Sequence, residues 1–360
     1  MEIKKNEFYK LVNKNSEKVA DVSWRSTDDS ATLEQLTWDG EDFQKWLLIE
    51  LDGGYYALVN KNSGKVADVS WRSTDDSATL EQLTWDGEDF QQWIVKDAEE
   101  GYVSLWNKNS GKVADVSWRS KDDSATLEQL TWNDEDFQKW SLVEVESFDL
   151  PSVEVSTLPP VPQYTSLNDN LPDVTNSVVT AYTLMPCIMV NDSWNSMDKM
   201  KNSPYYILQK SQYWKKLDSH TFAPNISYTS DTKYGMTNTD QESMTNTTGI
   251  SVTVDAGFSF KQLSSSISKT VTDELQVSIS TATELMTEQE NIETIENTND
   301  YEIAWSLYAL VTEYELKHAD GTSVTQSWTV INKNDERESY YPLSSKLQKT
   351  SLEDGSLQNK

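Results

Sequence analysis

The sequence predicts an all-β protein of two domains, and three observations lead to that prediction. First, the segment KVADVSWRSTDDSATLEQLTWDGEDFQ stands at residues 18–44 and again, letter for letter, at 65–91. A third copy at 112–138 differs only at Lys121, Asn133 and Asp134. Second, the later residues hold no further copy and alternate between apolar and polar side chains, as half-buried strands do. Third, 360 residues exceed the usual size of one hydrophobic core.

Each repeat predicts about four short strands separated by polar turns, and in the first copy they lie at 8–12, 18–24, 32–38 and 46–49. The copies are 47 residues apart, which is the interval from Asp21 to Asp68. Propellers close with about four to eight blades, whereas three units of four strands suit a three-lobed barrel with a hairpin cap. The expected core residues of the first lobe are Val19, Val22, Leu33, Leu36 and Trp46.

One turn differs between the lobes. Asn-Ser-Gly ends at Gly64 and Gly111 in the second and third lobes, and glycine tolerates a positive φ there. The first lobe has Glu17 at this position. We therefore expect its turn to be strained or differently built.

The segment YALVNKNSGKVADVSW, followed by LEQLTWDGEDFQQW, resembles the ricin-B-type β-trefoil lectin repeat. The shared features are an aspartate after the second strand and a closing Gln-x-Trp, whose glutamines are Gln44, Gln91 and Gln138. The resemblance covers residues 1–146 and recurs three times. It implies an amino-terminal β-trefoil that binds carbohydrate.

Such lectins hold a sugar in each lobe with an aspartate, an amide and an aromatic ring. A carboxylate accepts hydrogen bonds from hydroxyls, glutamine donates and accepts them, and an indole covers the apolar face of a pyranose. We call the three matching sets the repeat aspartates, the repeat glutamines and the repeat tryptophans. They are Asp21, Asp68 and Asp115; Gln35, Gln82 and Gln129; and Trp38, Trp85 and Trp132.

The chain departs from the lectin pattern in two ways. The usual asparagine of Asn-Gln-x-Trp is replaced by Phe43, Phe90 and Phe137. The aromatic residue also sits one place later, which leaves the loop tryptophans as competing rings, namely Trp24, Trp71 and Trp118. The alternative is that the polar residues only form turns and that duplication alone made the copies alike. Because three exposed indoles would be costly on an inert surface, we predict glycan binding.

The amino-acid composition changes after the third repeat. Residues 147–164 contain four prolines, which favour extended backbone, and this composition predicts a linker. A second domain is expected at 165–342, followed by a polar tail at 343–360.

A long hairpin is predicted within the second domain, at about 249–283. Residues 250–260 alternate between apolar and polar, and a weaker alternation resumes at 275–279 after a serine-rich segment. The pattern alone favours an ordinary half-buried sheet. Its apolar residues are Ile250, Val252, Val254, Phe258, Phe260, Leu275, Val277 and Ile279.

Two further segments, AYTLMPCIMVND at 181–192 and SPYYILQKSQYWKK at 203–216, resemble the binary-toxin-like family of bacterial insecticidal crystal proteins. In that family a ricin-B-like trefoil precedes an elongated, aerolysin-like β-sheet domain that forms pores, and the domain order here is the same. The resemblance makes the predicted hairpin a membrane-insertion hairpin. Residues 250–260 meet the roughly 9 to 11 residues that a membrane-spanning strand needs.

The resemblance also implies a biological setting. It implies an insecticidal pore-forming toxin, stored in a parasporal crystal or otherwise released by the producing bacterium and active at the host gut cell membrane. The implied partners are a cell-surface glycan or glycoprotein receptor, the target-cell membrane and further copies of this chain in the pore state. Some members of the family also require a second toxin component.

Composition narrows the remaining classes of function. A formal net charge of −29 argues against nucleic acid as a partner. Cys187, the single cysteine, lies in apolar surroundings typical of a buried structural thiol. His220 and His318 are far apart and without metal-ligand spacing, so we expect no enzyme, cofactor or metal site. Two alternatives stay open: a non-lytic lectin with a structural β domain, and a glycoside hydrolase carrying a binding module.

Overall fold

The structure is a computed structural model that describes residues 2–261 and 263–351, and it confirms the all-β prediction. Each of the three repeats forms four strands. The first lobe contains β1 (Glu7–Asn13), β2 (Val19–Val22), β3 (Ala31–Leu36) and β4 (Trp46–Glu50). The second contains β5 (Tyr55–Asn60), β6 (Val66–Val69), β7 (Ala78–Leu83) and β8 (Trp93–Glu99). The third contains β9 (Tyr102–Asn107), β10 (Val113–Val116), β11 (Ala125–Leu130) and β12 (Trp140–Ser147).

The first and last strands of the lobes close a barrel. Strands β1, β4, β5, β8, β9 and β12 pair in that order, and β12 returns to β1. The hairpins β2–β3, β6–β7 and β10–β11 form the cap, in which β3, β7 and β11 pair with one another. This pairing is the predicted three-lobed barrel with its cap of hairpins.

Four of the five predicted core residues of the first lobe are buried as expected. Val19, Val22, Leu33 and Trp46 are almost inaccessible to solvent, whereas Leu36 is only partly buried. The indole nitrogens of Trp46, Trp93 and Trp140 donate to the carbonyl oxygens of Ala20, Ala67 and Ala114 at 3.0–3.1 Å. One hydrogen-bonded tryptophan therefore anchors each lobe.

Glu17 adopts the strained turn that the sequence predicted. Its φ is +61°, close to the +67° of Gly64 and Gly111, and all three backbone amides close the same turn. The turn is therefore built alike in every lobe, and Glu17 adopts a backbone conformation that side chains disfavour.

Residues 147–164 form a strap along the second domain. The backbone amide of Ser156 donates to the carbonyl of Val179, and the indole of Trp214 donates to the carbonyl of Pro159. Tyr164 is buried, and its hydroxyl oxygen lies 2.6 Å from that of Ser306. The part of the predicted linker from Ser156 to Tyr164 is thus packed against the second domain.

Within the described residues, the second domain is a seven-stranded antiparallel sheet in the order β13-β14-β19-β20-β15-β18-β21, with a separate two-stranded hairpin and three α-helices. Its strands are β13 (Val178–Pro186), β14 (Tyr205–Phe222), β15 (Ser227–Met236), β16 (Ile250–Val252), β17 (Phe258–Phe260), β18 (Gln289–Glu296), β19 (Ile303–Lys317), β20 (Trp328–Tyr341) and β21 (Gln348–Ser351). Its helices are α1 (Ser196–Asn202), α2 (Asn238–Thr248) and α3 (Ser265–Leu275). Among the residues that the structure describes, no helix is both long and apolar enough to cross a membrane.

The predicted long hairpin at 249–283 is wrong in this conformation. Strands β16 and β17 form a short hairpin, because the Asp255 carboxylate accepts from the Thr253 hydroxyl and the Gly257 amide and turns the chain between them. Phe258 of β17 also bridges Ile279, but in the parallel direction, so the chain after the serine-rich segment does not return as the antiparallel partner of β17. The serine-rich segment is helix α3, which begins where the Ser264 hydroxyl accepts from the Ile267 amide. Leu275 is its last residue, so it does not belong to a returning strand.

Part of the predicted polar tail extends the sheet. Strand β21 pairs with β18, and Lys349 forms an ion pair with Glu338 at 2.5 Å. Residues 352–360 of the predicted tail lie outside the described residues.

The two domains share a hydrophobic core. Ile49, Leu51 and Ala57 of the trefoil belong to the same buried cluster as Met200 and Ile267 of the second domain. Gly64 also approaches α1 closely, since a Cβ atom at this position would lie 2.0 Å from the Ser196 carbonyl oxygen. The second domain therefore docks where the first and second lobes meet.

Candidate functional site

The repeat aspartates lie beneath the surface. Each is 1% exposed, and one carboxylate oxygen of each has no hydrogen-bond partner among the described residues. Burial raises the pKa of each carboxyl to about 7, against the opposing effect of hydrogen bonds from Gln44, Gln91 and Gln138. A ligand outside the lobe therefore does not reach these groups in this conformation.

The repeat glutamines hold neighbouring lobes together. Gln35 accepts from the Ser16 hydroxyl at 2.6 Å and donates both amide hydrogens to carbonyls of the third lobe, at Ser120 and Asp122. Gln82 and Gln129 make the equivalent contacts to the first and second lobes. The structure thus corrects the sequence prediction, because these buried amides are occupied and are not free to bind a sugar.

The repeat tryptophans are half-buried, and each has different neighbours. The Lys10 ammonium lies 4.9 Å from the centre of the Trp38 ring, and the Trp106 ring lies 5.8 Å from that of Trp132. Trp85 packs against the core that the two domains share. Three equivalent positions of the repeat therefore present three different surfaces.

The loop tryptophans are the exposed rings of the trefoil. Trp24, Trp71 and Trp118 are 94%, 96% and 95% exposed, and their φ angles are +57° to +58°. The arginine after each of them also has a positive φ. Left-handed backbone costs a non-glycine residue about 1–2 kcal/mol, and such strain concentrates at functional sites.

The arginines that follow the loop tryptophans have a defined environment. The Arg25 guanidinium lies 5.0 Å from the centre of the Phe43 ring and 4.0 Å from the Asp39 carboxylate. The Asn62 amide of the next lobe donates to the Arg25 carbonyl at 3.3 Å. The phenylalanines that replace the usual asparagine therefore support an arginine, a role that sequence reasoning missed.

The first and second lobes consequently present an indole, a guanidinium and a carboxylate at their surface, whereas Asn133 replaces the carboxylate in the third lobe. The Arg25 side chain is 68% exposed and that of Asp39 is 40% exposed. An indole covers an apolar ring face, while the two charged groups donate to and accept from hydroxyls. This combination is suited to a polyhydroxylated ligand.

Most of the predicted insertion residues are buried in, or pack against, the hydrophobic core that the two domains share. Ile250, Val252, Phe258 and Leu275 are at most 1% exposed, and the Phe258 ring lies 5.1 Å from that of Tyr314. Phe260 and Val277 pack against the same core, whereas Val254 and Ile279 are exposed. The structure thus brings six of the eight together, as part of a folded core.

A cleft of about 550 Å³ lies between the domains. The trefoil contributes Trp85 and Asp86 to its lining, and the second domain contributes Asn191, Lys199 and Lys261. Cys187 also borders it but is buried, and burial raises the pKa of its thiol to about 12. The prediction of a buried structural cysteine is confirmed.

Both halves of the chain match known protein families. Residues 2–85 and 89–156 match the family described as "Ricin-type beta-trefoil lectin domain-like", and residues 178–342 match "Insecticidal Crystal Toxin, P42". The two matches lie in the order that the sequence predicted.

Curated relatives include larvicidal and insecticidal proteins. "Binary larvicide subunit BinA" of Lysinibacillus sphaericus is 31% identical over 195 residues, covering 54% of this chain and 53% of the relative. "Binary larvicide subunit BinB" of the same organism is 28% identical over 182 residues, covering 50% and 40%. This chain therefore spans about half the length of the curated relatives it matches.

The crystal structure of Cry35Ab1 has the same fold. It superposes with a TM-score of 0.79 over 95% of this chain and 91% of that chain, at 21% sequence identity. The predicted fold class, a trefoil followed by an elongated β-sheet domain, is confirmed.

Proposed function

We propose that this chain, which belongs with the binary-toxin-like insecticidal crystal toxins by the match of both its domains, is a pore-forming toxin. Its trefoil binds glycans or glycoproteins on gut epithelial cells. Its second domain then oligomerises and inserts a β-barrel. The observation that carries the receptor half is the set of three exposed loop tryptophans on left-handed backbone.

Glycan binding is assigned to the loop tryptophans and their neighbouring arginines. A sugar ring stacks on the indole of Trp24 and forms hydrogen bonds with Arg25 and Asp39. The repeat aspartates, repeat glutamines and repeat tryptophans support these loops from below. Three weak sites at a fixed spacing bind a glycan-dense surface more tightly than one site alone, because binding at one site raises the effective concentration of glycan at the others.

The insertion step is assigned to residues 249–283. Extended into two strands, this segment places Ile250, Val252 and Phe258 on a lipid-facing side and releases them from the core. Only closed barrels satisfy every backbone group in lipid, so several copies must each contribute a hairpin. Helix α3 has to unfold in this step.

The receptor half is tested by removing the loop tryptophans in steps. We expect W24A alone to weaken binding to gut-cell glycans only slightly. The triple variant W24A/W71A/W118A should lose affinity by on the order of a hundredfold, because the contributions of linked sites to the overall binding constant multiply. The measurement is a glycan array followed by surface binding, and Y301A, which removes an exposed aromatic ring from the second domain, is the control. A triple variant that binds as the wild type does would contradict the proposal.

The pore half is tested by dye release from liposomes and from receptor-bearing membrane vesicles, with intact and protease-trimmed protein. Its relatives are named as subunits of a binary larvicide, so each assay is run with and without a candidate second component. Absence of release in every form would contradict pore formation. Agglutination of cells without release would indicate the non-lytic lectin, and release of reducing sugar would indicate the hydrolase.

A further inference from the structure

We propose that the trefoil latches the membrane-insertion segment shut through Asp52, whose carboxylate caps helix α3 from the other domain. One carboxylate oxygen accepts from the Ser265 amide at 2.5 Å. The other accepts from the Ser266 amide at 2.5 Å and from the Ser265 hydroxyl at 2.9 Å. The inference rests on the proposed function, in which α3 unfolds.

The contact satisfies groups that the helix itself leaves free. The first amides of a helix have no partner within it, and a carboxylate there also interacts favourably with the helix dipole. The Ser264 hydroxyl accepts from the Ile267 amide, and Asp52 provides for the two amides before it. Burial acts to raise the pKa of Asp52, but the amide hydrogen bonds outweigh it and hold that pKa below its usual range. The latch is therefore charged at neutral pH.

Helix α3 depends on such support. It has eleven residues, and isolated helices shorter than about 12–15 residues are marginal in water. Its sequence SSISKTVTDEL is rich in serine and threonine, which favour helices weakly. The helix therefore has little stability of its own, and loss of the cap should unfold its first turn.

The other end of α3 is held within the second domain. The Lys210 ammonium donates to the Leu275 carbonyl at 3.0 Å, and the Thr183 hydroxyl donates to the Glu274 carboxylate at 2.5 Å. A shift of the trefoil thus removes the cap at the amino end alone. Unfolding would begin next to β17, where the freed residues can extend an existing strand.

The latch is confined to one lobe. Forty-seven residues before and after Asp52 stand Lys5 and Glu99, and Glu99 pairs with Lys14 and Lys139. The residue before Asp52 is Leu51, which packs in one cluster with Ile267. The second lobe therefore departs from the repeat where it meets the insertion segment.

The latch is tested by D52A and by D52N, which keeps the shape of the side chain, with E100A on an exposed position of the third lobe as control. Hydrogen exchange of the whole soluble protein reports on α3 without a membrane. We expect the amides of residues 265–268 to exchange on the order of tenfold faster in D52A, with a smaller effect in D52N and none in E100A. Unchanged exchange in both Asp52 variants would overturn the latch.

Dye release then tests what the latch controls. We expect D52A to release dye severalfold faster than the wild type on the same receptor-bearing vesicles. Faster exchange with an unchanged rate of release would overturn the regulatory role. If the wild type and D52A both release nothing while α3 exchanges faster in D52A, the pore function fails and the capping contact stands.

Discussion

Glu17 shows at the scale of one residue how the three lobes differ in strain. Its backbone has φ +61° in a turn that is glycine in the other lobes. The left-handed cost of about 1–2 kcal/mol is partly offset by the flexibility that glycine adds to the unfolded chain. We therefore expect E17G to raise the free energy of unfolding by about 0.5–1 kcal/mol, measured by urea denaturation.

The third lobe supplies the matched reverse change. G111E introduces the same side chain at φ +67°, where a Cβ atom would meet nothing within 4 Å. It should destabilise the protein by a similar amount. If E17G is neutral and G111E is costly, a contact made by Glu17 and not strain would explain the difference.

The repeat aspartates predict a dependence of stability on pH. Their pKa is about 7 in the folded protein against 3.8 for an ordinary aspartate, so the folded state holds more protons between these values. Stability from this source is complete below about pH 4 and is lost as pH rises to about 7. Each group can contribute a slope of at most about 1.4 kcal/mol per pH unit.

The triple variant D21N/D68N/D115N isolates that contribution. We expect its free energy of unfolding to fall less steeply than that of the wild type between pH 4 and pH 7. Carboxylates common to both proteins cancel in the difference. Parallel curves would show that the repeat aspartates do not titrate in this range.

At the scale of structural elements, the repeat glutamines determine how the hairpins of the cap fit together. Gln82 donates to the carbonyls of Ser26 and Asp28, in the loop that follows Trp24. Q82A leaves these acceptors and the Ser63 hydroxyl without their partner, and each such group costs about 1–3 kcal/mol. We expect a loss of about 3 kcal/mol, measured by denaturation, and faster hydrogen exchange in residues 26–30.

The control for Q82A is Q92K, a second glutamine of the same lobe. Gln92 donates to the Gly87 carbonyl of its own lobe and accepts from the Lys108 ammonium of the third lobe, and the equivalent residues of the other lobes are lysines. It should change stability by about 0.5 kcal/mol or less. A comparable loss from Q92K would argue against a special role for the repeat glutamines.

The elements also show where sequence reasoning reached its limit. The alternation at 250–260 predicted strand, and β16 and β17 do lie there, but Asp255 folds them into a short hairpin through local hydrogen bonds. Helix α3 was missed because its composition favours helices weakly and because one of its caps, Asp52, is more than 200 residues away in sequence. Contacts of that range leave no periodic signal in the chain.

At the scale of the whole molecule, the threefold repeat could be predicted from the sequence, but the structural consequences of the differences between the lobes could not. Three copies of one segment predicted the lobes, their cores and the tryptophan at the centre of each. The surface that meets the second domain depends on residues outside the repeated segment: Ile49 in β4 of the first lobe is buried there, whereas its equivalent Lys96 in β8 of the second lobe is exposed. Trp85 packs against the core that the two domains share, whereas Trp38 lies beside Lys10.

Docking where the first and second lobes meet predicts that one glycine matters more than its equivalent. Gly64 and Gly111 share a φ of +67°, so alanine strains the backbone equally at both positions. At Gly64 the new Cβ atom would also lie 2.0 Å from the Ser196 carbonyl oxygen, whereas at Gly111 it would meet nothing within 4 Å. G111A therefore measures the strain alone, about 1–2 kcal/mol.

G64A combines the same backbone strain with a clash that disrupts the contact between the domains. We expect it to separate the trefoil from the second domain, because the Ser196 carbonyl belongs to the backbone and cannot turn aside as a side chain would. The separated form should have a larger radius of gyration in small-angle X-ray scattering and faster cleavage by protease within residues 147–164. G111A should match the wild type in both measurements. Identical behaviour of the two variants would show that the domains do not depend on this contact to stay together.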